Sequence, residues 1–348
     1  MPQQLSLPRP DDWHVHLRDG AAMRDVVAHT ASVFGRALCM PNLKPPVRTV
    51  AEAQAYRQRI LSALPEGSGF VPLMTLYLTD STDPDEIEEA ANTPWICGVK
   101  LYPAGATTNS DAGVTDLAKV DAVLERMAKT GLPLLVHGEL TGDHVDIFDR
   151  EHLFLQTVLT PLMQRHDRLR VVLEHVTTRQ GVEFVLSYPK ERVAGTITAH
   201  HLLLNRNAIF DKGIRPHHYC LPILKREQHR QALVQAATRG DHRFFLGTDS
   251  APHSRGRKEA ACGCAGLFTA AQALPLYAEV FEAVGALQHL AAFASEAGPR
   301  FYGLAVSDET ITLVKEPRRV PMSYDFAGEE VVPFRSGGEV GWTVVTDG

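Results

Sequence analysis

The sequence lacks long apolar runs and a leader-like beginning. No segment approaches the roughly 20 consecutive apolar residues that a membrane-spanning helix requires. The first residues, MPQQLSLPRPDD, contain no basic stretch followed by an apolar one, which a secretory signal would show. We therefore expect a cytoplasmic protein with no membrane partner.

Concentrated positive charge is also missing. The formal net charge is -6 over 348 residues, and the lysines and arginines are scattered along the chain. A nucleic-acid groove would show a basic stripe interleaved with aromatic residues. No P-loop or G-x-G-x-x-G motif follows a predicted strand. These absences argue against a nucleic-acid partner and against a nucleotide cofactor.

Cysteine is scarce, with five residues in the whole chain: Cys39, Cys97, Cys220, Cys262 and Cys264. An odd number spread over a long chain favours reduced thiols over a disulfide framework. The last two are close together but have no second cysteine pair to complete a structural zinc site. We therefore expect no zinc at Cys262 and Cys264.

What the sequence does contain is a series of short apolar runs, each ending in polar or glycine-containing sequence. There are eight: WHVHL, RALCMPN, VPLMTLYL, GVKLYP, LPLLVHGE, LRVVLEHV, AGTITAHHL and RFFLGTDSAP. Between them lie segments such as 120–130 and 226–239, whose apolar residues recur with the helical period and which end at Gly131 and Gly240. The pattern is a repeated alternation of strand and helix.

Buried parallel strands appear in sequence as nearly continuous apolar runs, and eight of them alternating with helices favour a (β/α)8 TIM barrel over an open doubly wound sheet. No linker or low-complexity tract interrupts the pattern, so we expect a single domain over residues 1–348. The segment from about 303 to 348 differs. There, ITLVKEP and EVGWTVV predict short strands that pack on the barrel as a small C-terminal appendage.

Active sites of such barrels lie at the C-terminal ends of the strands. His14 and His16 of the first run point to the same side, because side chains alternate along a strand. An H-x-H pair alone is a weak signal, since one of the two histidines could simply be hydrogen-bonded in a core. The corresponding ends of four other runs carry Lys100, His137, His175 and Asp249.

Imidazole and carboxylate groups are zinc ligands, but a protonated lysine has no lone pair. A buried lysine can lose its proton, and the neutral amine can add carbon dioxide to give a carbamate that bridges two metal ions. The alternative for Lys100 is a structural lysine paired with an acid. Four histidines and an aspartate at neighbouring strand ends favour the carbamate.

At this point the sequence resembles the binuclear metal amidohydrolases, and within them the dihydroorotases of the single-domain bacterial type. The resemblance covers nearly the whole chain and includes every ligand position. It depends on DDWHVHLRDG, MPNLKPP, GVKLYPAGATTNS, LLVHGE, LEHVTT, RPHHYCLPILKR and GTDSAPHSRGRKEAACGCAG. Together these motifs are far more specific than H-x-H alone.

The resemblance implies two zinc ions per subunit. The implied ligands are His14, His16 and Asp249 for one ion, His137 and His175 for the other, and N6-carboxylated Lys100 as the bridge. A hydroxide shared by the two ions would be the nucleophile, since coordination lowers the pKa of water from 15.7 toward about 7. Asp249 would be the catalytic proton shuttle.

The implied activity is the reversible, zinc-dependent cyclisation of N-carbamoyl-L-aspartate to L-dihydroorotate and water in de novo pyrimidine biosynthesis, carried out by a homodimer. One alternative is another cyclic amidohydrolase of the hydantoinase or allantoinase type. Another is a non-catalytic scaffold relative, which would be expected to have lost ligands.

The resemblance also implies substrate contacts. Those residues are Arg18, Asn42 and His253 for the substrate carboxylate, the backbone near Leu221 and Ala265 for the ring amides, and Thr107 and Thr108 in a mobile lid at 104–113. The alternatives are a surface ion pair between Arg18 and Asp19, a turn role for Asn42, and a plain surface connection at 104–113. A carboxylate clamp would separate dihydroorotate from hydantoins and allantoin, which lack that carboxylate.

Further histidines remain outside this set. They are His200, His201, His217 and His218, to which we assign hydrogen bonding or packing. Of these, His200 stands at a strand end and is a candidate for the pocket wall.

Overall fold

The computed structural model describes residues 2–261 and 263–345. In this part of the chain, a first strand β1 (Gln4–Pro8) precedes eight strands that form one parallel sheet. The eight are β2 (Asp11–Val15), β3 (Arg36–Cys39), β4 (Val71–Tyr77), β5 (Ile96–Leu101), β6 (Leu134–Val136), β7 (Val171–Leu173), β8 (Val193–Ile197) and β9 (Phe244–Leu246). Each strand pairs with the next in sequence order, and a bridge from Val15 to Ser250 closes the ring. The predicted (β/α)8 barrel is confirmed.

Helices follow the strands around the barrel. Those in the described residues are α1 (Ala21–Ala31), α2 (Val50–Ala63), α3 (Pro84–Ala91), α4 (Asp121–Thr130), α5 (Arg150–Phe154), α6 (Thr160–Arg165), α7 (Arg179–Leu186), α8 (Ala199–Leu203), α9 (Glu227–Thr238), α10 (Arg255–Lys258), α11 (Ala273–Ala283) and α12 (Ala297–Tyr302). The helical segments expected at 120–130 and 226–239 are α4 and α9. Gly131, directly after α4, has φ 78°, which is the left-handed cap that the glycine predicts.

Shorter helical pieces complete the connections. Single π turns at Leu155–Leu159 and Ala292–Glu296 join α5 to α6 and lead into α12. The 3-10 turns of the described chain are Leu117–Val120, Arg206–Ile209, Pro216–His218, Ala270–Gln272 and Leu287–His289.

The C-terminal segment forms small antiparallel sheets outside the barrel. Its strands are β10 (Thr310–Val314), β11 (Arg318–Arg319), β12 (Tyr324–Phe326), β13 (Glu329–Val331), β14 (Glu339–Val340) and β15 (Thr343–Val345). Strand β10 pairs with both β1 and β15. The appendage therefore joins the two ends of the chain beside the barrel.

The barrel encloses a buried apolar cluster to which every barrel strand contributes. Its members are Trp13, Leu38, Met40, Leu73, Cys97, Leu135, Val172, Ala194 and Phe245, together with Ala297 and Phe301 of α12. Side chains alternate along a strand, so residues two positions further on face the same interior. His137 therefore follows Leu135, and Glu174 follows Val172. Polar groups occupy the carboxyl end of the barrel, above this apolar layer.

Candidate metal centre and substrate cleft

The structure brings the six predicted metal ligands together at the carboxyl end of the barrel. They come from β2 and the residue that follows it, from β5, and from the residues that follow β6, β7 and β9: His14, His16, Lys100, His137, His175 and Asp249. All six are buried, the most exposed being His16 at 9%. Burial of so many ionisable groups is costly unless they are paired or coordinate metal.

The first subset surrounds a carboxylate. Asp249 Oδ1 lies 3.1 Å from His16 Nε2 and 3.4 Å from His14 Nε2, and the two imidazole nitrogens are 3.4 Å apart. These three atoms face one another at the separations expected of ligands around a shared cation.

The second subset lies against the first. The ring centroids of His137 and His175 are 4.8 Å apart, and those of His14 and His175 are 5.1 Å apart. One potential ligand atom from each of His14, His175 and Asp249 lies within 4.8 Å of the other two. The two subsets therefore form one continuous cluster.

Lys100 is fully buried between these groups. Its Nζ has no hydrogen-bond partner among the described residues and lies 5.1 Å from the centroid of the Tyr102 ring. The alternative of a lysine paired with an acid therefore finds no support in its contacts. Burial lowers the pKa of Lys100 to about 8, so a sizeable fraction of the amine is neutral near physiological pH.

Protonation states in the cluster suit cation binding. Burial, together with the nearby Lys100 charge, places the pKa of His14 well below its ordinary value. Burial lowers the pKa of His16 and His175 in the same direction. Burial by itself raises the pKa of Asp249, but the neighbouring imidazoles outweigh it and bring that pKa down to about 2. The cluster thus offers neutral imidazole lone pairs and an ionised carboxylate.

Each of three histidines has an outer partner that fixes its ring. His14 Nδ1 bonds the carboxylate of Glu174, His16 Nδ1 donates to Asn42 Oδ1 at 2.8 Å, and His137 Nε2 bonds Glu139 Oε2 at 2.8 Å. In each case the other ring nitrogen is left for the cluster. Such partners orient metal-ligating histidines in general.

Two of the six residues have an unusual backbone. His175 has φ 39° and Asp249 has φ 45°, in the left-handed region that non-glycine residues rarely adopt. A conformation of this kind costs about 1 to 3 kcal/mol and persists only where the surroundings enforce it.

A buried carboxylate enforces the turn after His175. Glu151 of α5, 1% exposed, accepts the backbone N–H and the hydroxyl of both Thr177 and Thr178, at distances from 2.5 to 2.9 Å. Asp12 supports the backbone turn at Asp249 in the same way, through the residue that precedes it. It accepts from the N–H and hydroxyl of Thr248, at 2.8 and 2.6 Å.

Sequence reasoning did not identify these supporting acids. Glu139 lies two residues after His137, and Glu174 directly precedes His175; this closeness in sequence was the available signal. For Glu151, in the first turn of α5, the sequence contains no comparable signal.

Arg18 and His253, which are predicted to bind the substrate carboxylate, lie beside the cluster of predicted metal ligands. Arg18 Nε donates to the Pro252 carbonyl at 2.8 Å, and its Nη2 lies 3.1 Å from His253 Nε2. Asp19, the alternative partner for Arg18, instead accepts a bidentate contact from Arg59. Burial lowers the pKa of Arg18 to about 10, which still leaves the guanidinium charged at neutral pH.

The segment 104–113 folds over the cluster. Asn42 Nδ2 donates to the Thr108 carbonyl at 3.1 Å, and Asn109 Nδ2 donates to the Asn42 carbonyl at 3.0 Å. The amide of Asn42 thus joins His16 to this segment. A backbone bridge between Pro103 and Val114 closes the base of the segment.

These groups line one small cleft at the carboxyl end of the barrel. Every predicted site residue except Lys100 lines it: His14, His16, Arg18, Asn42, Thr107, Thr108, His137, His175, Leu221, Asp249, His253 and Ala265. Tyr102, Ala251 and Gly266 complete the wall. Residues from distant parts of the sequence therefore form one small, polar, metal-ligand-rich cavity.

Comparison with known proteins agrees with this geometry. The amidohydrolase family model matches residues 12–311. The chain belongs to the amidohydrolase family. This amidohydrolase is 60% identical over 343 residues to the dihydroorotase of Alkalilimnicola ehrlichii, a match that covers 99% of the chain and 100% of that protein.

Solved structures give the same result. The dihydroorotase of Campylobacter jejuni has a TM-score of 0.91 and 34% identity, covering 99% of this amidohydrolase and 98% of that chain. The Saccharomyces cerevisiae dihydroorotase, solved in complex with 5-fluoroorotic acid, has a TM-score of 0.90 and 33% identity, with the same coverage. The family recognised in the sequence is confirmed.

Other sequence expectations concern regions outside the cleft. Within the described residues, no helix is long and apolar enough to cross a membrane. Cys262 lies outside the described residues. The expectation that Cys262 and Cys264 hold no zinc therefore stays a prediction. His217 Nε2 bonds Glu259 at 2.9 Å and His218 Nδ1 donates to the Ala208 carbonyl at 2.8 Å, as expected of hydrogen-bonded histidines.

Proposed function

We propose that the protein is a dihydroorotase, which reversibly cyclises N-carbamoyl-L-aspartate to L-dihydroorotate and water in pyrimidine biosynthesis. The observation that carries this proposal is a single cleft in which a buried cluster of metal ligands adjoins an arginine and histidine pair. High identity to curated dihydroorotases over the full chain supports it.

The donor set fits a binuclear zinc centre. Among the described residues, Lys100 Nζ and His175 Nδ1 are buried without hydrogen-bond partners, and a metal-bridging carbamate and a coordinate bond would satisfy them. We assign His14, His16 and Asp249 to one ion, His137 and His175 to the other, and carboxylated Lys100 to both. When bound, the ions supply Lewis-acid polarisation of the substrate carbonyl and water of lowered pKa.

The protein's own residues bind and orient the substrate. Arg18 presents its guanidinium beside His253 at the cleft wall and suits a carboxylate. Asn42 contributes by joining His16 to the lid, and the backbone near Leu221 and Ala265 faces the ring amides. Recognition of the carboxylate fixes which carbonyl of the substrate faces the metal ligands.

Asp249 moves the proton. In ring opening its carboxylate accepts a proton from the attacking water and delivers it to the departing ring nitrogen, which an amide leaving group requires. Its low pKa keeps it ionised and ready to accept. In ring closure the same carboxylate takes a proton from the urea nitrogen.

The lid excludes water during this transfer. With 104–113 docked on Asn42, Thr107 and Thr108 line the cleft and face the substrate space. Opening this segment admits substrate and releases product. We further propose that the protein works as a homodimer in the cytoplasm and that residues 1–348 form one domain, as the family resemblance implies.

A related cyclic amidohydrolase activity is the main alternative. Hydantoins and allantoin lack the carboxylate of dihydroorotate, so a charged clamp at Arg18 would have no partner in them. The six ligands argue against a scaffold without activity, because such a relative would not need to retain a complete set.

The experiment is interconversion of L-dihydroorotate and N-carbamoyl-L-aspartate by purified protein, followed in both directions with zinc supplied and with zinc removed by chelator. We expect fast turnover that depends on zinc. Ring closure consumes one proton, so the equilibrium mixture should contain more dihydroorotate at acidic pH and more carbamoyl aspartate at alkaline pH. Turnover of hydantoin but not of dihydroorotate would contradict the proposal.

A further inference from the structure

A second cluster of metal-ligand side chains lies outside the cleft. His200 and His201 belong to α8, and Cys220 follows the 3-10 turn at Pro216–His218. All three are buried, at 0%, 2% and 1% exposure. One nitrogen or sulfur atom from each lies within 4.8 Å of the other two. None of the three is among the described residues that line the catalytic cleft.

His200 is the residue that most needs an explanation. Neither of its ring nitrogens has a hydrogen-bond partner in the described part of the chain, although the side chain is fully buried. A buried polar group left unpaired is destabilising, and such groups are rare in folded proteins. A ligand in contact with the ring would remove this cost.

The ring of His201 is fixed by hydrogen bonds at both of its nitrogens. Its Nδ1 lies 2.7 Å from the Thr198 hydroxyl, while its Nε2 lies 3.0 Å from the Pro222 carbonyl and 3.8 Å from Cys220 Sγ. The Thr198 hydroxyl fixes the ring through Nδ1, and a cation at Nε2 would replace the hydrogen bonds that Nε2 and the Cys220 thiol donate to the Pro222 carbonyl. Thr198 is therefore the hydrogen-bond partner that orients the His201 ring.

We propose that His200, His201 and Cys220 bind one zinc ion per chain, at a third metal site separate from the catalytic centre. Two imidazoles and a thiolate are ligands that zinc prefers, and water completes a tetrahedral set. Binding displaces the proton of the Cys220 thiol to solvent. The proton on His201 Nε2 moves to Nδ1, where the Thr198 hydroxyl accepts its hydrogen bond.

The site would connect two segments that border the catalytic cleft. Helix α8 follows barrel strand β8, and Cys220 immediately precedes Leu221, which lines the cleft. A metal ion bound to both α8 and Cys220 would restrict the movement of Leu221, the next residue in the chain. This inference concerns the chain's own ligands and does not depend on the reaction catalysed.

Cobalt loading tests the site by spectroscopy. The six proposed catalytic ligands include no sulfur atom, so a thiolate-to-cobalt charge-transfer band can arise only from a cysteine site. We expect the apoprotein reloaded with Co²⁺ to bind three ions per chain and to show this near-ultraviolet band. Two ions per chain with no such band in the unaltered protein would overturn the proposal.

Two variants and a control assign the band to these residues. Cys220→Ser should abolish the band, and His200→Gln should release the third ion, while each keeps the two catalytic ions. The matched control is Cys264→Ser, at a half-buried cysteine with no place in the cluster, which should keep the band. A band that survives Cys220→Ser but disappears in Cys264→Ser would place the metal elsewhere and contradict the proposal.

Discussion

At the scale of single residues, the proposed bridging role of Lys100 predicts that two metal ions are held only when this side chain is present. Lys100→Ala should reduce zinc from two catalytic ions to one or none and abolish turnover, since in the proposed assignment only Lys100 binds both ions. The measurement is zinc per chain by elemental analysis, together with activity. A small carboxylic acid in the buffer should restore part of both.

Lys225→Ala is the matched control for that variant. Lys225 is another buried lysine, but its Nζ donates to the Ile223 carbonyl at 2.9 Å and it does not line the cleft. Its loss should reduce stability and leave the catalytic zinc in place. Full activity with both ions bound in Lys100→Ala would rule out the bridging role.

We assign Arg18 to substrate binding and not to metal binding. Arg18→Met should raise KM for dihydroorotate roughly tenfold to a hundredfold, because a hydrogen bond to a charged group contributes about 1.5 to 3 kcal/mol. Zinc content should stay unchanged. Steady-state kinetics and metal analysis are the measurements, with Arg59→Met as the control because Arg59 pairs with exposed Asp19. Loss of zinc in Arg18→Met would mean that the residue is misassigned.

At the scale of elements, the loop after β7 depends on α5. Glu151→Gln replaces one carboxylate oxygen by an amide N–H₂, which then faces the N–H and hydroxyl donors of either Thr177 or Thr178, so it should destabilise the protein by about 1 to 3 kcal/mol. The relaxed turn should also weaken zinc binding at His175. Urea unfolding and zinc titration measure the two effects.

Glu183→Gln provides the comparison for Glu151→Gln. Glu183 lies on the exposed side of α7, two residues beyond Gly181, and should tolerate the change within about 0.5 kcal/mol. If Glu151→Gln behaves like Glu183→Gln in both measurements, the carboxylate does not enforce the backbone of His175.

Another element-scale contact ties together the loops that border the cleft. The buried amine of Lys258, in α10, donates to the carbonyls of Tyr219, Cys264 and Gly266 at 2.7 to 2.8 Å. Burial lowers its pKa from 10.5 to about 8. Between pH 8 and pH 10.5, Lys258 is therefore protonated in the unfolded chain and deprotonated in the folded chain.

Stability should therefore rise as pH increases from 8 to 10.5, by up to about 3 kcal/mol from this residue. We expect Lys258→Met to lack this part of the rise, and parallel urea unfolding of both proteins across that pH window measures the difference. Identical slopes for the two proteins would show that the amine keeps its proton when folded.

At the scale of the whole molecule, metal binding should be linked to folding. The ligands come from five strands around the barrel, so the unfolded chain has no assembled site and bound zinc stabilises only the folded state. A free zinc concentration about a thousandfold above Kd would contribute about 4 kcal/mol. Removing zinc by chelator should lower Tm, and by less in Lys100→Ala than in the unaltered protein. An equal change in both would contradict this linkage.

Much of this architecture could be predicted from the sequence. The eight apolar runs correspond one to one with β2 through β9, because buried parallel strands need continuous apolar side chains. The predicted appendage strands in ITLVKEP and EVGWTVV appear as β10, β14 and β15. Period-two alternation correctly placed His14 and His16 on the same side of β2.

Some contacts could not be predicted because no local pattern encodes them. Glu151 meets Thr177 across 26 positions, and Asp12 meets Thr248 across 236. Asn42 was predicted as a substrate residue, yet its amide also bonds His16 and the Thr108 carbonyl. Such pairings depend on how separate strands and helices come together, which a single linear sequence does not show.

The sequence by itself determined the barrel, the family and the residue types at the strand ends, because strand periodicity and strand order place those side chains at one rim. Only the tertiary structure decided the left-handed turns at His175 and Asp249, the acids that hold them, and the meeting of His200, His201 and Cys220. The physical reason is that the first group follows from local periodicity, whereas the second depends on burial and long-range hydrogen bonds that exist only once the chain is packed.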